Sequence, residues 1–354
     1  MCKRIFANQT SEQGDIPFYK IGTIGGVPDA FISKQLFEEY KSRYNYPQTG
    51  EVMITCAGTV GKTIVFDGAD AYFQDSNIVW ISNPKQFCIN SFLNYCLSRV
   101  NWGKLNSTTI TRIYNDNLRD LVIKYPSVNE QRKIVDLLSL LDQRITTQSK
   151  IIEGLTTLRS ALIEKVFQAS YPTIEIGSVV QQTSERNKLC RYSNVLSVSN
   201  RFGFINQSEQ FEDRNVASDD VRNYKVVHKG DFAYNPARIN VGSIAVLKRC
   251  DSGIVSPMYI CFRIDDSAVD TSFFELFLES KTFKDEMEIR LEGSVRRCLS
   301  FEAMCEINLP CPTIMEQRSI SDKIGHISSK IELEDNVLRA YIAQKDWLLK
   351  QMFI

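Results

Sequence analysis

The stretch CAGTVGKT, Cys56 to Thr63, ends in the Gly-Lys-Thr that closes a phosphate-binding loop. Such a loop wraps backbone N–H groups round phosphates between a strand and a helix, and it needs a first glycine separated by four residues from the Gly-Lys-Thr. Cys56 stands at that position. The flanks, VMIT before and TIVF after, are apolar and β-branched on both sides of Gly58 to Gly61, which predicts strand, turn, strand with Lys62 near a hairpin tip. A nucleotide-hydrolysing reading survives only if ATP binds and is lost in Lys62→Ala.

Other reactive residues are arranged sparsely. The ten cysteines form no Cys-x-x-Cys pair, and His228 and His326 are the only imidazoles. Metal sites want close ligand pairs and hydrolase triads want a histidine, so the expectation is reduced, mostly buried thiols, no metal, no cofactor and no catalytic residue. Basic and acidic residues balance at 42 each, which argues against a strong nonspecific polyanion binder. Charge is uneven locally: Ser76 to Asn115 holds no carboxylate but carries Lys85, Arg99, Lys104 and Arg112. No apolar run approaches the roughly 20 residues that cross a bilayer, and MCKRIFANQTSEQ has no signal-peptide core, so a cytoplasmic protein without a membrane partner is expected.

The elements that position these residues are set by an internal repeat. YPSVNEQRKIVDLLSLLDQRI, from Tyr125, answers to CPTIMEQRSISDKIGHISSKI, from Cys311, at a constant spacing of 186 residues. In each copy a proline precedes a capping box, Ser127 with Glu130 and Thr313 with Glu316, which predicts two helices opening at equivalent places. Beyond the caps, apolar residues recur at spacings of four and three. They are Ile134, Leu138, Leu141, Ile145, Ile152 and Leu155 in the first copy, and Ile320, Ile324, Ile327, Ile331, Leu338 and Tyr341 in the second. This is a heptad seam, interrupted by Gln148 and Glu334 and by Arg159 and Lys345. Each helix of about 39 residues would rise roughly 58 Å, and the natural partner of each is the other.

The intervening segments correspond more loosely. Gly50-Glu51-Val52-Met53 answers Gly230-Asp231-Phe232-Ala233, Val60-Gly61 answers Val241-Gly242, and Asn90-Ser91-Phe92-Leu93 answers Thr271-Ser272-Phe273-Phe274. Short strands, Gly and Asn turns and a few short helices predict an α+β unit in each. The expected architecture is a globular domain over 1–126, a helix over 127–168, a second domain over 169–311 and a second helix over 312–354, the helices paired with each other as a coiled coil.

Two divergent globular units alternating with near-identical capped helices resemble the specificity subunit of type I restriction-modification systems. The resemblance is carried by PFYKIGTIGG, GEVMITCAGTVGKT, DAYFQDSNIVWI and NEQRKIVDLLSLLDQRI in this order, and it extends along essentially the whole chain. It implies two target-recognition domains that each read one half of a split site in double-stranded DNA. It also implies long helices that pack as an antiparallel coiled coil and fix the spacing, and docking of two methyltransferase subunits that carry S-adenosylmethionine, with motor-nuclease subunits joining in the restriction enzyme. The family's specificity subunit is itself non-catalytic. One departure stands out: the lead-in Tyr171 to Tyr192, with TIEIGS at Thr173, has no counterpart ahead of Pro17, so the chain reads as a shortened or rearranged member.

Base reading needs bidentate donors for guanine, amides for adenine and cations for phosphate. The candidates are loop residues at corresponding places in both halves: Thr59, Lys62, Thr108 and Arg112 in the first, Arg238, Asn240, Arg296 and Arg297 in the second. A rival class, a two-headed coiled-coil scaffold that binds no DNA, would form no complex with methyltransferase subunits.

Overall fold

The computed structural model describes residues 1–104, 112–200, 202–207, 220–293 and 297–352. The chain forms two compact units, one of Met1–Ser149 with Asn336–Ile354 and one of Lys150–Asp335.

The first unit opens with β1 (Ile16–Tyr19), β2 (Phe31–Ile32) and α1 (Lys34–Arg43), the helix capped by the Ser33 hydroxyl, which accepts the Leu36 N–H. β3 (Val52–Thr55), β4 (Thr63–Val65), β5 (Tyr72–Phe73) and β6 (Ile78–Ile81) follow. They make two three-stranded sheets, ordered β2-β1-β5 and β4-β3-β6. β3 is buried along its whole length, which is why it reads as a continuous VMIT run instead of an alternating one. Its Val52 and Ile54 pack with Leu93 and Leu97 of α2 (Asn90–Ser98) and with Trp102, while Met53 faces a second cluster with Phe18, Phe37 and Tyr72. α3 (Asn115–Arg119) leads to α4 (Val128–Phe167).

The second unit repeats this plan and adds to it. Its lead-in forms β7 (Thr173–Glu175) and β8 (Val180–Thr183), followed by β9 (Leu196–Ser199), β10 (Gly203–Asn206), β11 (Lys225–His228), β12 (Phe232–Tyr234), β13 (Ile244–Val246), β14 (Ser252–Val255) and β15 (Ile260–Ile264). The main sheet runs β13-β12-β15-β8. Its core is aromatic: Phe232 and Phe262 stack at 5.2 Å, and Phe274 meets Phe232 edge-on. α5 (Thr271–Glu279), α6 (Lys281–Arg290), α7 (Phe301–Cys305), β16 (Asn308–Pro310) and α8 (Ile314–Met352) complete it.

Duplication extends to single backbone angles. Gly50 and Gly230, each leading into the central strand, have φ of +87° and +90°, and the hairpin glycines Gly61 and Gly242 have +84° and +86°. All four sit in the left-handed region that side chains disfavour. The buried carboxylates that follow the first pair do the same work: Glu51 accepts the Gln48 N–H at 2.9 Å and Asp231 the His228 N–H at 2.8 Å.

Both long helices start where the boxes predict. At Thr313 the box is reciprocal, with Thr313 N–H donating to Glu316 at 2.9 Å; at Ser127 only the hydroxyl half forms, and Glu130 pairs with Lys133 instead. Along α4 and α8 the seam positions are the covered ones. Leu138, Leu141 and Ile324 are buried, and Ile134, Ile145, Ile152, Leu155, Ile320, Ile327, Ile331, Leu338 and Tyr341 are half-buried. Within the first unit Lys345 pairs with Asp142, which also accepts the Tyr95 hydroxyl at 2.7 Å, and Arg144 lies over the Tyr341 ring at 5.8 Å. Within the second, Arg159 donates to Ser328 at 2.8 Å and to the Glu279 carboxylate. In each unit residue numbers rise on one helix as they fall on the other, so the two pack antiparallel, and the cationic interruptions of the seam are its polar clasps.

Candidate nucleic-acid interface

The hairpin of the first unit is not a phosphate cradle, because Thr63 opens β4 and not a helix. The tip is built tightly. Trp102 lies where a Cβ on Gly61 would fall, and the buried Thr55 hydroxyl donates to the Thr59 carbonyl and accepts the Lys62 N–H at 3.0 Å. Thr59 is exposed at the turn. Lys62 also carries an exposed side chain, but its ammonium reaches across to donate to the Ile24 carbonyl, closing the Lys20–Gly26 turn beneath it. Arg112 donates to the Ser76 carbonyl at 3.2 Å. Thr108 lies outside the described residues.

In the second unit the equivalent loop, Asn235 to Ser243, winds through a short 3-10 turn. Arg238 and Asn240 are both exposed, and among the described residues neither side chain has a hydrogen-bond or ionic partner. Asn235, whose backbone carbonyl accepts the Arg238 N–H at 3.0 Å, donates its side-chain amide N–H to the Met258 sulfur. Gly242 abuts Asn200 of the β9–β10 turn, where a Cβ would meet Asn200 at 3.4 Å. Three loops therefore meet at one end of the sheet, and they present Phe202, Val241 and Met258 beside the two polar candidates. Arg297 is elsewhere committed, donating to the Glu288 carboxylate and, at 2.8 Å, to its carbonyl. Arg296 lies outside the described residues.

Charge is distributed unevenly along the second unit. No carboxylate occurs from Arg186 to Gln207 or from Phe232 to Cys250, while Arg186, Lys188, Arg191, Arg238, Lys248 and Arg249 lie in those stretches. This absence of acid was legible in the sequence and would have singled out the loops of the second unit. The carboxylates that do line the neighbouring cavity of about 730 Å³ are engaged: Glu275 with Lys248 at 2.6 Å, Glu279 with Arg159, and Glu164 with the Lys281 N–H at 2.9 Å. Burial pushes the Cys2 thiol up to about 11 and the Cys96 and Cys261 thiols up to about 12, which disfavours the nucleophilic thiolate at these three positions. Among the described residues no His, Cys, Asp and Glu cluster could hold a metal.

Sequence reasoning passed over the middle residue of the repeated Glu-Gln-Arg. Gln131 is fully buried, accepts the Ile89 N–H at 2.9 Å and donates to the Phe87 and Pro126 carbonyls. Gln317 does the same with the Asp270 N–H and the Ala268 and Pro312 carbonyls. Each glutamine ties the start of a long helix to the start of the globule's nine-residue helix, α2 or α5. The signal was the identity itself, an amide kept at one position in both copies.

Comparison with known proteins agrees with this construction. Over 155 residues the chain is 50% identical to the type I restriction enzyme specificity subunit S.HindORF215P of Haemophilus influenzae, covering 44% of this chain and 40% of that relative. Residues 1–157 of the chain match the family described as the type I restriction modification DNA specificity domain. The MjaVIII specificity subunit of Methanocaldococcus jannaschii is 23% identical over 263 residues, 66% of this chain and 61% of that protein. The chain thus matches less than two thirds of the length of either relative. The fold is shared with a solved structure along the chain: the S subunit of the M. genitalium type I system superposes with a TM-score of 0.60 at 18% identity, covering 100% of this chain and 92% of that one. A chain from a study of complex assembly and conformational transition in the type I system gives 0.54 at 16% identity, with 95% and 90% covered. Among the described residues no helix is long and apolar enough to cross a membrane.

Proposed function

We propose that this chain is the sequence-reading subunit of a DNA adenine methyltransferase and restriction complex. In this reading each unit recognises one half of a bipartite, asymmetric site in double-stranded DNA. The observation that carries it is the pair of equivalent hairpins, each turned on a left-handed glycine and each bearing different polar residues at its tip. Arg238 and Asn240 offer a planar fork and an amide, the groups that suit guanine and adenine edges in the major groove, whereas the first unit offers the Thr59 hydroxyl and a tethered Lys62. Unlike tips on a common plan fit an asymmetric site.

The long helices contribute to both units, and in this reading they set the number of base pairs between the half-sites, about one helical turn centre to centre. They also dock two methyltransferase subunits, which bring S-adenosylmethionine and all catalytic groups, and motor-nuclease subunits join the same assembly. Partner contacts to phosphate supply the nonspecific affinity that a chain of zero net charge does not. The chain itself takes no cofactor and acts in the cytoplasm. The test is selection from a randomised duplex library by the chain purified with its co-encoded methyltransferase subunits. Enrichment of two short motifs at a fixed separation is expected, and enrichment of no sequence would overturn the reading.

A further inference from the structure

In the second unit the β9–β10 turn, the loop Asn235 to Ser243 and the turn Ser256 to Tyr259 each hold one large apolar side chain in the open. Phe202 is 58% exposed, Val241 49% and Met258 61%. The core beneath is closed by Val198, Phe204, Leu247 and Tyr259, and the three side chains lie outside it.

One residue of β9 braces all three loops. Val198 donates its N–H to the Tyr259 hydroxyl at 3.3 Å, and its carbonyl accepts the buried Ser243 hydroxyl at 3.0 Å. Gly242 turns at a φ of +86° against Asn200, and the Asn235 side-chain amide donates to the Met258 sulfur at 3.7 Å. The apolar side chains are thus presented from a cross-tied platform, and Val241 shares its loop with Arg238 and Asn240. Holding contact groups in place before binding lowers the ordering cost of recognition.

The loops are also free of acid. No carboxylate occurs from Arg186 to Gln207, from Phe232 to Cys250 or from Gly253 to Ile264. An apolar patch beside Arg238 and Asn240, in loops without negative charge, suits a ligand that is polyanionic along its length and apolar at isolated points. The major groove of duplex DNA has that character, because thymine alone among the bases presents a hydrocarbon there, its 5-methyl group.

We propose that Phe202, Val241 and Met258 read thymine methyl groups in the half-site of the second unit. The inference rests on the DNA-reading function proposed above and adds a base to it. Arg238 and Asn240 supply polar readout, and the apolar trio separates thymine from cytosine. Burying one methyl group is worth about fourfold in affinity.

Replacing single thymines by deoxyuridine tests this, since the change removes one methyl and keeps every hydrogen-bonding group. The chain, purified with its co-encoded methyltransferase subunits, is titrated with the duplex it selects and with duplexes replaced at each thymine in turn. At one thymine or more the native chain should lose about fourfold. The triple variant Phe202→Ala, Val241→Ala, Met258→Ala should bind thymine and uracil duplexes equally, and as tightly as the native chain binds the duplex with every sensitive thymine replaced. Selection of no sequence would overturn the DNA-reading function and this inference with it. A split site with no methyl-sensitive thymine, unchanged sensitivity in the variant, or its loss of the uracil duplex as well would overturn this inference alone. So would a variant that keeps its thymine preference and sheds the methyltransferase subunits, which would assign the patch to a protein partner.

Discussion

Arg238 and Arg297 show how little a residue's type says about what it is doing. Both are exposed arginines in loops, but Arg297 spends its guanidinium on Glu288 while Arg238 has no partner among the described residues. Arg238→Ala should therefore weaken specific DNA binding by at least tenfold and relax base preference in one half-site only, the size expected of one bidentate base contact. Arg297→Ala should change affinity less than twofold; a larger loss, read by titration with the selected duplex, would move the interface. Lys62 could not be sorted from sequence, because its carbonyl partner Ile24 is 38 residues away and belongs to a different turn. The buried glutamines make a different prediction. Gln131→Ala or Gln317→Ala strands an amide N–H and two carbonyls in the interior, so each should cost about 1–3 kcal/mol of stability in denaturant unfolding. A change below about 0.5 kcal/mol would mean the clasp is dispensable.

At the scale of elements, legibility followed the length over which a pattern repeats. The two long helices declared themselves because spacings of three and four persist over 39 residues or more, and no local accident sustains that. Their caps were equally visible, since capping chemistry is confined to four consecutive residues. The sheets were harder. A strand such as β8, VQQT, carries no alternation strong enough to announce an edge, and its partner β15 lies some 80 residues on. The polar residues within the seam read as interruptions, whereas they clasp the helices: Lys345 to Asp142 and Arg159 to Ser328 and Glu279. Charge reversal of one partner, Asp142→Lys, should lower the thermal midpoint by several degrees, and the compensating double change with Lys345→Asp should recover most of it. Absence of recovery would make the pair incidental.

At the scale of the whole chain, a duplicated plan with unlike loop tips is what a reader of two different half-sites requires, and in the proposed reading the shared helices are where spacing is encoded. Inserting one heptad into both α4 and α8 should lengthen the spacer and leave the half-sites unaltered. The most direct measurement is single-molecule sequencing of methylated adenines in cells that carry the chain with its co-encoded methyltransferase, comparing native and heptad-extended forms. The account predicts one split motif in both, with unchanged halves and a longer gap in the extended form. Methylation at no reproducible split motif, or a change in half-site sequence when only the helices were lengthened, would contradict it.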